Sequence, residues 1–184
     1  MPQMKLIILD RDGVINQDSD AFIKSPEEWI PIAGSLEAIA RLNQAGYTVV
    51  VATNQSGIAR KLFDMEILNA IHYKMHTAAQ HAGASIDAIF YCPHAADSNC
   101  DCRKPKPGMI REIALRYDIE LKGVPIVGDS LRDLQAGFIL GCAPHLVLTG
   151  KGETTLAAGG LPPGTQVHHN LTTMVEYLLS HEDD

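Results

Sequence analysis

The sequence predicts an α/β fold in which a parallel, Rossmann-like sheet carries helices on both faces. Short runs of apolar and β-branched residues alternate with longer segments of helical periodicity. The apolar runs are nearly continuous, which is typical of strands buried on both faces and joined by helical crossovers. The 184 residues contain no internal repeat. We therefore expect residues 1–184 to form one domain of three layers.

Local patterns predict the individual elements. Residues 4–9 form an apolar strand that ends at Asp10. Residues 35–45 have helical spacing, with Ser35 as a candidate N-cap and Gly46 as the stop. The remaining expectations are strands at 47–52, 86–91, 124–127 and 145–148, helices at 64–81, 106–117, 131–140 and 171–179, and a Gly- and Pro-rich loop at 150–165.

The charge and hydropathy of the chain limit the kinds of molecule that we expect it to bind. Lys plus Arg number 15 against 22 Asp plus Glu, a net charge of −7. An acidic chain is a poor nonspecific ligand for nucleic acid or an anionic membrane. The apolar runs are far shorter than the roughly 18 residues of a membrane span, and the N-terminus lacks a signal-peptide pattern. We expect a cytoplasmic monomer with neither nucleic acid nor membrane as partner.

Polar clusters follow each of the first four predicted strands. Ligands of parallel sheets bind beyond the carboxyl ends of the strands, so these clusters should meet at one edge. They are Asp10-Arg11-Asp12-Gly13, Thr53-Asn54-Gln55-Ser56-Gly57, Cys92-Pro93-His94 and Gly128-Asp129-Ser130. The coincidence on one edge predicts an active site there.

The aspartates among these clusters favour a divalent cation. Asp10, Asp12 and Asp129 would repel one another in one cleft. Mg²⁺ relieves such repulsion and shares its coordination with a phosphate, and Lys104 could add positive charge. The alternative is that each aspartate merely ends its strand in a turn, but the joint pattern favours a site.

The cysteines favour a second metal. Cys92, Cys100 and Cys102 fall within eleven residues, beside His94. Three thiolates and one imidazole suit tetrahedral Zn²⁺, and four protein ligands leave no open position, so this zinc would be structural. The alternative is a loop of free thiols. Cys142 stands apart and is expected in the core.

These motifs resemble those of the haloacid dehalogenase superfamily phosphatases. The resemblance rests on Asp10 to Val14, Thr53-Asn54, Lys104, and Gly128-Asp129-Ser130 followed by Asp133. The segment 92–105 is similar to the zinc-containing branch, whose members act on heptose 1,7-bisphosphate or histidinol phosphate. The resemblance spans residues 4–149. No sizeable insertion appears between Gly13 and Ser35 or after Thr53, so we expect the large cap domain that is usual in this superfamily to be absent.

The resemblance implies a role for each residue. Asp10 would be the nucleophile that forms an aspartyl-phosphate, and Asp12 the general acid and base. Thr53 and Lys104 would hold the phosphate. The carboxylates of Asp10 and Asp129 and the backbone carbonyl of Asp12 would bind Mg²⁺, with Asp133 supporting Asp129. Substrate contacts would fall on Asp18, Ser19, Asp20, Ala21, Asn54, Gln55, Ser56, Arg103 and Ser130.

Of the two substrates known in this branch, the sequence favours D-glycero-D-manno-heptose 1,7-bisphosphate, which we expect to be cleaved at position 7. The loop at 16–21 is polar, and Arg60, Lys61 and Arg103 are available for a second phosphate, with contact to solvent alone as the equal alternative for Arg60 and Lys61. Such a reaction would belong to nucleotide-heptose biosynthesis for lipopolysaccharide. Histidinol phosphate is the alternative, since Asp18 or Asp20 could pair with an ammonium. A non-catalytic phosphate-sensing module is a further alternative, but it would have no need for the acid at Asp12.

Other side chains are expected to be structural. His72 and His76 lie one turn apart and could bind a metal, but no third ligand is evident, so they are predicted on a solvated helix face. His168 and His169 are predicted in a surface loop. Trp29 lies in the loop after the first strand, and we expect it to pack beneath that loop, with a place in the wall of the substrate cleft as the alternative.

Overall fold

The computed structural model describes residues 3–182. Its parallel sheet has the order β3-β2-β1-β4-β5-β6. The strands are β1 (Leu6–Leu9), β2 (Thr48–Asn54), β3 (Ala88–Cys92), β4 (Pro125–Gly128), β5 (Ala143–Val147) and β6 (Gln166–His168), and the helices are α1 (Ser35–Gln44), α2 (Met65–His81), α3 (Gly108–Tyr117), α4 (Leu131–Phe138), α5 (Gly152–Ala158) and α6 (Leu171–Ser180). The predicted fold class is confirmed.

Alternation along the strands divides the core into two halves. In β1, Ile7 and Leu9 face one layer of helices, and Leu6 and Ile8 face the other. Helices α1, α2 and α6 cover the first face, and α3 and α4 cover the second. Because successive side chains of a strand point to opposite faces, a fully apolar strand needs both layers.

Strand register sets the position of the polar clusters. Leu9 pairs with Val51 of β2 and with Val127 of β4. The residues that follow these positions therefore leave the sheet at the same level. The strand order also reverses between β1 and β4, since the chain builds outward from this pair in both directions. Such a switch point opens a crevice at the carboxyl edge of the sheet.

Two predictions about the C-terminal third are wrong. Residues 152–158 form helix α5, within the segment predicted as a loop, because Gly150 makes a turn at φ +56° and a helix starts beyond it. A side chain at Gly152 would meet the Val147 carbonyl at 1.9 Å, so this glycine permits close packing of the helix start. His168 lies in β6 and is buried, whereas its neighbour His169 is exposed as predicted.

The helix start at residue 35 also differs from the prediction. Gly34 is the N-cap, in the left-handed region at φ +87°. Ser35 is the first helical residue, and its hydroxyl donates a hydrogen bond to the Val14 carbonyl. Between residues 14 and 34 the described chain forms a short 3-10 helix, Pro26–Glu28, and no inserted domain. Trp29 packs in the core and is 1% exposed, as predicted, and Cys142 is also buried.

Two buried histidines form a pair between β5 and β6. His145 Nδ1 and His168 Nε2 are 3.0 Å apart and share one hydrogen bond. Their rings stack, and Tyr177 packs against both. Burial, together with the neighbouring His168, lowers the pKa of His145 to about 4. Burial also lowers the pKa of His168.

This pair should make folding stability sensitive to acid. A base with a lowered pKa binds fewer protons when folded than when unfolded, so its stabilisation is present above pH 6.5 and is lost as the pH falls towards 4. A shift from 6.5 to about 4 corresponds to about 3 kcal/mol. We expect His145→Phe to flatten the pH dependence of the free energy of unfolding, measured with urea between pH 4 and pH 8. His169→Phe, at the exposed neighbour, should leave that dependence unchanged.

Among residues 3–182, no helix has both the length and the apolar character needed to cross a membrane.

Candidate active site

Polar side chains from several strand ends line one cavity of about 210 Å³. Asp10 and Asp12 follow β1, Thr53 lies in β2 and Asp129 follows β4, while Lys104 enters from the segment between β3 and α3. The other predicted site residues in the lining are Asp18, Ser19, Asp20, Asn54, Gln55, Ser56, Arg103, Ser130 and Asp133. Of the predicted substrate residues, Ala21 is not part of this lining. The clusters after β1, β2 and β4 therefore converge as predicted, whereas the cluster from Cys92 to His94 lies outside this lining.

Lys104 is the buried cation of this cavity. Its Nζ atom lies 3.1 Å from Asp10 Oδ1 and 2.7 Å from Asp133 Oδ1, and it donates to the Ala52 carbonyl at 2.7 Å. Burial by itself would lower the pKa of Lys104, but the charges of Asp10 and Asp133 outweigh burial and raise it. The side chain is therefore charged and fixed in place before a substrate binds.

Asn54 holds the backbone of Lys104. Its Oδ1 accepts a hydrogen bond from the Lys104 amide at 3.0 Å, and its Nδ2 donates to the Lys104 carbonyl at 3.2 Å. Both ends of the Asn54 amide are therefore used within the protein. Asn54 lines the cavity, as predicted, but its side chain acts on the position of Lys104.

Three carboxylates form a cluster that suits a cation. Asp10, Asp129 and Asp133 each place an oxygen within 4.8 Å of the others. Burial and the charge of Asp133 raise the pKa of Asp129 to about 7. Burial and Asp133 also raise the pKa of Asp10 well above its usual range, although Lys104 opposes this shift. Carboxylates this close resist ionisation until a cation joins them, and hard divalent cations prefer such oxygen ligands.

Two glycines make room for the Asp129 carboxylate. A Cβ atom on Gly13 would lie 2.0 Å from Asp129 Oδ2, and one on Gly150 would lie 2.3 Å from it. Both glycines have positive φ angles, of 86° and 56°. The Lys151 amide then donates to the same oxygen at 2.9 Å. A side chain at either glycine would displace this carboxylate.

Asp133 differs from the prediction that it supports Asp129. Its Oδ1 atom forms an ion pair with the Lys104 ammonium group. Its Oδ2 atom accepts a hydrogen bond from the Ser130 amide at 3.2 Å, within the capping box of α4. Asp133 therefore orients Lys104 directly, and it affects Asp129 through its charge.

Asp12 is held by three donors. Its Oδ1 accepts hydrogen bonds from Arg11 Nε at 2.8 Å and Asn16 Nδ2 at 2.9 Å, and its Oδ2 accepts a longer one from Gln55 Nε2, at 3.3 Å. Burial alone would raise the pKa of Asp12, but the Arg11 charge and these hydrogen bonds lower it. Gln55 also donates to Thr53 Oγ1 at 2.9 Å and so links the two sides of the cavity.

The loop at 16–22 forms one wall of the cavity. Asp18 and Asp20 lie 3.6 and 3.8 Å from the Lys151 ammonium group. Phe22 takes a left-handed conformation, at φ +67°, and the Arg60 guanidinium lies 5.5 Å from the centre of its ring. Non-glycine residues in this region are strained, and such strain is frequent at ligand sites.

The predicted zinc ligands come together. Cys92, which ends β3, and His94, Cys100 and Cys102 place their donor atoms within 4.8 Å of one another. The cysteines are not joined in a disulfide. The sulfurs of Cys92 and Cys100 are 3.8 Å apart, which is about the edge of a tetrahedron with Zn–S bonds of roughly 2.3 Å. Cys102 Sγ lies closer, 2.7 Å from Cys92 Sγ.

The acid–base character of these thiols also suits a cation. Burial would raise the pKa of Cys100, but hydrogen bonds from the Arg103 backbone and Ser98 lower it to about 7. Burial raises the pKa of Cys92, and burial together with Cys92 raises that of Cys102 to about 12. A metal ion is needed to hold such thiols as thiolates. The donor set therefore fits a tetrahedral, thiophilic ion.

The cysteine cluster is tied to the segment that carries Lys104. Lys106 Nζ donates to the Cys100 carbonyl at 2.8 Å, and Arg103 Nη1 donates to the His94 carbonyl at 3.2 Å. The Gly108 amide donates to the Asp101 carbonyl at 2.9 Å. A Cβ atom on Gly108 would lie 2.2 Å from that oxygen, so the loop closes directly on the start of α3.

Comparisons with known proteins agree with this geometry. A family model described as polynucleotide kinase 3 phosphatase matches residues 5–132, and a HAD-hydrolase-like model matches residues 101–174. The D-glycero-beta-D-manno-heptose-1,7-bisphosphate 7-phosphatase of Bordetella bronchiseptica is 66% identical over 176 residues, which cover 96% of this chain and 98% of the relative. The enzyme of the same name from Neisseria meningitidis serogroup A is 56% identical and covers 96% and 95%.

Solved structures give the same result. The crystal structure of D,D-heptose 1,7-bisphosphate phosphatase from B. bronchiseptica, complexed with magnesium and phosphate, superimposes with a TM-score of 0.95 at 66% identity, over 96% of this chain and 99% of that one. The chain belongs to this family of haloacid dehalogenase superfamily phosphatases. The enzyme from Burkholderia thailandensis, at 56% identity, has a TM-score of 0.78 and covers 96% and 99%.

Several side chains of this phosphatase were missed by sequence reasoning. Phe22, Arg132 and Lys151 line the cavity without having been predicted there. Lys151 lies in the segment 150–165, which is predicted as a loop. The glycines on either side of it are the sequence signal that the chain makes a close turn there. Of the two cations left open, Arg60 lines the cavity and Lys61 lines a different hollow.

The prediction for His72 is wrong. This side chain is 8% exposed, and its Nε2 lies 3.0 Å from Arg11 Nη1. Helical spacing puts it on one face with His76, but Arg11, two residues beyond the end of β1, packs against His72.

Proposed function

We propose that this phosphatase hydrolyses the 7-phosphate of D-glycero-β-D-manno-heptose 1,7-bisphosphate through an aspartyl-phosphate on Asp10. The observation that carries the proposal is the cavity itself, where Asp10 lies against a buried lysine and beside Asp12 and Asp129. Relatives at 66% and 56% identity over nearly their whole length bear the name of this activity.

In the first half-reaction, an Asp10 carboxylate oxygen attacks the phosphorus atom. A bond forms between this oxygen and phosphorus as the bond from phosphorus to the sugar oxygen breaks. Asp12 gives its proton to the leaving sugar oxygen. A bound phosphoryl dianion favours the protonated form of Asp12, because like charges disfavour ionisation. Lys104, Thr53 and the amide groups beyond β2 offset the charge of the transferred group.

In the second half-reaction, water attacks the phosphorus of the aspartyl-phosphate. Asp12, now ionised, takes a proton from this water, as microscopic reversibility requires. The bond to Asp10 breaks, inorganic phosphate leaves, and both carboxylates return to their starting states. The hydrogen bonds to Asp12 stabilise the ionised form that this step needs.

The proposed cations follow from the two clusters, except that Asp133 pairs with Lys104 and the backbone carbonyl of Asp12 takes its place as a ligand. The carboxylates of Asp10 and Asp129 and the backbone carbonyl of Asp12 would hold Mg²⁺, which when bound neutralises charge on the phosphoryl oxygens. Cys92, His94, Cys100 and Cys102 would hold Zn²⁺ as a structural ion. A site with three thiolates needs reduced cysteines, which agrees with the proposed cytoplasmic location. We further propose that residues 1–184 act as one domain and as a monomer.

The proposed substrate contacts form two parts of the cavity, a polar and acidic part for the sugar and a cationic part for the second phosphate. Asp18, Ser19 and Asp20 would face the sugar hydroxyls, and Gln55, Ser56 and Ser130 would complete this polar lining. The Lys151 ammonium group lies beside Asp18 and Asp20, and its positive charge disfavours binding of the ammonium group of histidinol phosphate at this wall. Arg60 and Arg103 lie on the cavity wall and would receive the second phosphate of the substrate.

Removing Arg60 should affect only substrates that have two phosphates. Arg60 is exposed on the cavity wall, and a hydrogen bond to a charged group contributes about 1.5–3 kcal/mol. We expect Arg60→Ala to raise KM for the bisphosphate about tenfold or more, with little change for p-nitrophenyl phosphate. Steady-state kinetics with both substrates checks this result. Lys61→Ala is the matched control, since the adjacent cation lies outside the cavity, and it should leave both KM values unchanged.

Side-by-side turnover tests the proposed function. We expect kcat/KM for heptose 1,7-bisphosphate to exceed that for histidinol phosphate by at least about a hundredfold, a lower bound, since a site that hydrogen-bonds specific substrate groups can discriminate by about 10⁴–10⁵-fold. Mass spectrometry of the product should show loss of the 7-phosphate and retention of the 1-phosphate. EDTA should abolish turnover and added Mg²⁺ should restore it. Faster turnover of histidinol phosphate would replace the proposed substrate with the alternative.

A further inference from the structure

A charged guanidinium lies fully buried behind the active site. Arg11 follows the nucleophile in the chain and is 0% exposed. Its Nε donates to Asp12 Oδ1 at 2.8 Å, and its Nη1 lies 3.0 Å from Nε2 of His72, which lies in the middle of α2. Among the described residues, its Nη2 atom has no hydrogen-bond partner. Burying a charge is costly unless it is paired, so this arrangement calls for a physical reason.

The contact with His72 has a defined direction. A guanidinium has donors and no acceptor, so His72 Nε2 must accept and its proton must lie on Nδ1. Burial and the neighbouring Arg11 lower the pKa of His72 to about 3, which keeps the ring neutral. His72 therefore contributes an acceptor on a rigid helix and no charge.

Arg11 links this helix to one oxygen of Asp12. The guanidinium is planar and rigid, so holding Nη1 at His72 also restricts where Nε can lie. Nε and Asn16 Nδ2 both bind Oδ1, while Oδ2 has the long contact with Gln55. The two carboxylate oxygens therefore differ. Oδ1 is held by two short hydrogen bonds, whereas Oδ2, with one long contact, is available to a ligand in the cavity.

We propose that His72 and Arg11 are positioning residues for the acid step, which fix Asp12 Oδ1 so that Oδ2 presents the proton to the leaving oxygen. This inference rests on the proposed role of Asp12 as general acid. Neither residue touches the substrate in this scheme, and both act through Asp12. Stability alone is a weak reason for the arrangement, because a buried ion pair stabilises little compared with apolar residues of similar volume.

The test compares substrates that differ in their need for an acid. An alkyl leaving oxygen, as in the heptose bisphosphate, must be protonated, whereas p-nitrophenolate leaves with little protonation. We would measure the ratio of kcat/KM for the two substrates in competition, so that the fraction of active enzyme cancels. kcat/KM reports steps up to the formation of the aspartyl-phosphate, where Asp12 acts as the acid. The variants are His72→Leu, which removes the acceptor, and His72→Gln, which keeps an acceptor near the Nε2 position.

We expect His72→Leu to lower the ratio of heptose bisphosphate to p-nitrophenyl phosphate at least about tenfold, because a misplacement of about 1 Å can cost a hundredfold in rate. His72→Gln should restore most of that ratio. His76→Leu is the matched control, one turn further along α2 and not hydrogen-bonded to Arg11, and it should leave the ratio unchanged. If His72→Leu yields no soluble enzyme, Arg11→Lys carries the same test, since it keeps the charge and loses the fork that joins the two partners.

The outcomes separate this inference from the proposed function. An unchanged ratio in His72→Leu, or in Arg11→Lys where that variant is used, overturns the positioning role, provided that Asp12→Asn does lower the ratio. An unchanged ratio in Asp12→Asn overturns the acid role of Asp12 itself. Equal loss on both substrates in His72→Leu also overturns the inference, because it shows general damage to the site.

Discussion

Asp12→Asn should reduce turnover of the heptose bisphosphate by about a hundredfold to ten-thousandfold, the usual contribution of a general acid or base. Asn has nearly the same shape as Asp but cannot supply a proton to the leaving oxygen or take one from water. The substitution leaves the proposed nucleophile Asp10 in place, and the contact between Asp10 and Lys104 does not involve Asp12. Formation of the aspartyl-phosphate from p-nitrophenyl phosphate should be much less affected, because that leaving group needs little protonation.

The measurement is a pre-steady-state burst of p-nitrophenolate. A fast burst followed by slow turnover in Asp12→Asn would show that the first half-reaction survives and that hydrolysis of the intermediate is impaired. Asp10→Asn is the control, since it removes the attacking carboxylate and should give no burst. Equal loss of the phosphorylation step on both substrates would contradict the role of acid and leave Asp12 with a role in placing Mg²⁺.

Cys102→Ser should lower both stability and activity. Loss of a thiolate weakens zinc binding, and the free energy of metal binding contributes to folding. Lys104 lies two residues beyond Cys102, and hydrogen bonds from Lys106 and Arg103 tie this segment to the loop of Cys100 and His94. A displaced Lys104 should then reduce kcat/KM by up to about a hundredfold in the folded protein, since errors of about 1 Å in position can have that effect.

The comparison is with Lys104→Ala at a temperature where circular dichroism shows both variants folded. The two defects should be of the same kind, with weaker stabilisation of the transferred phosphoryl group and unchanged activation by Mg²⁺. Cys142→Ser is the matched control, because it removes a buried thiol outside the cluster and should leave zinc content and kcat/KM unchanged. Wild-type kcat/KM in a folded, zinc-free Cys102→Ser enzyme would show that Asn54 and Asp133 position Lys104 without the metal.

The local pattern was sufficient to predict much of this architecture. Apolar runs such as residues 6–9 become strands because they must be buried on both faces, and the polar residues that follow them can lie only at the strand ends. Parallel pairing then brings Asp10, Thr53 and Asp129 to one edge, whatever the details of packing. The cysteine cluster is equally local, since its four ligands lie within eleven residues.

Helical spacing was not sufficient to predict which faces are covered. His72 and His76 occupy similar positions on the α2 pattern, yet His72 is buried against Arg11. A histidine tolerates either environment, so its identity does not reveal burial. The same limit applies to His168, which is buried only because β6 adds to the sheet edge at β5.

The fold class, the edge at which the site lies and the residue types that meet there could be predicted, because they depend on periodicity and on which residues follow each strand. The pairing of side chains could not be predicted in this way: Asp133 with Lys104, Lys151 with Asp18, and Arg11 with His72 are seen only in three dimensions. A hydrogen bond or ion pair requires its atoms to lie within about 3–4 Å. When the two atoms belong to elements remote in the chain, the distance between them depends on how each helix packs against the sheet. The hydrophobic pattern of the sequence contains no information about that packing.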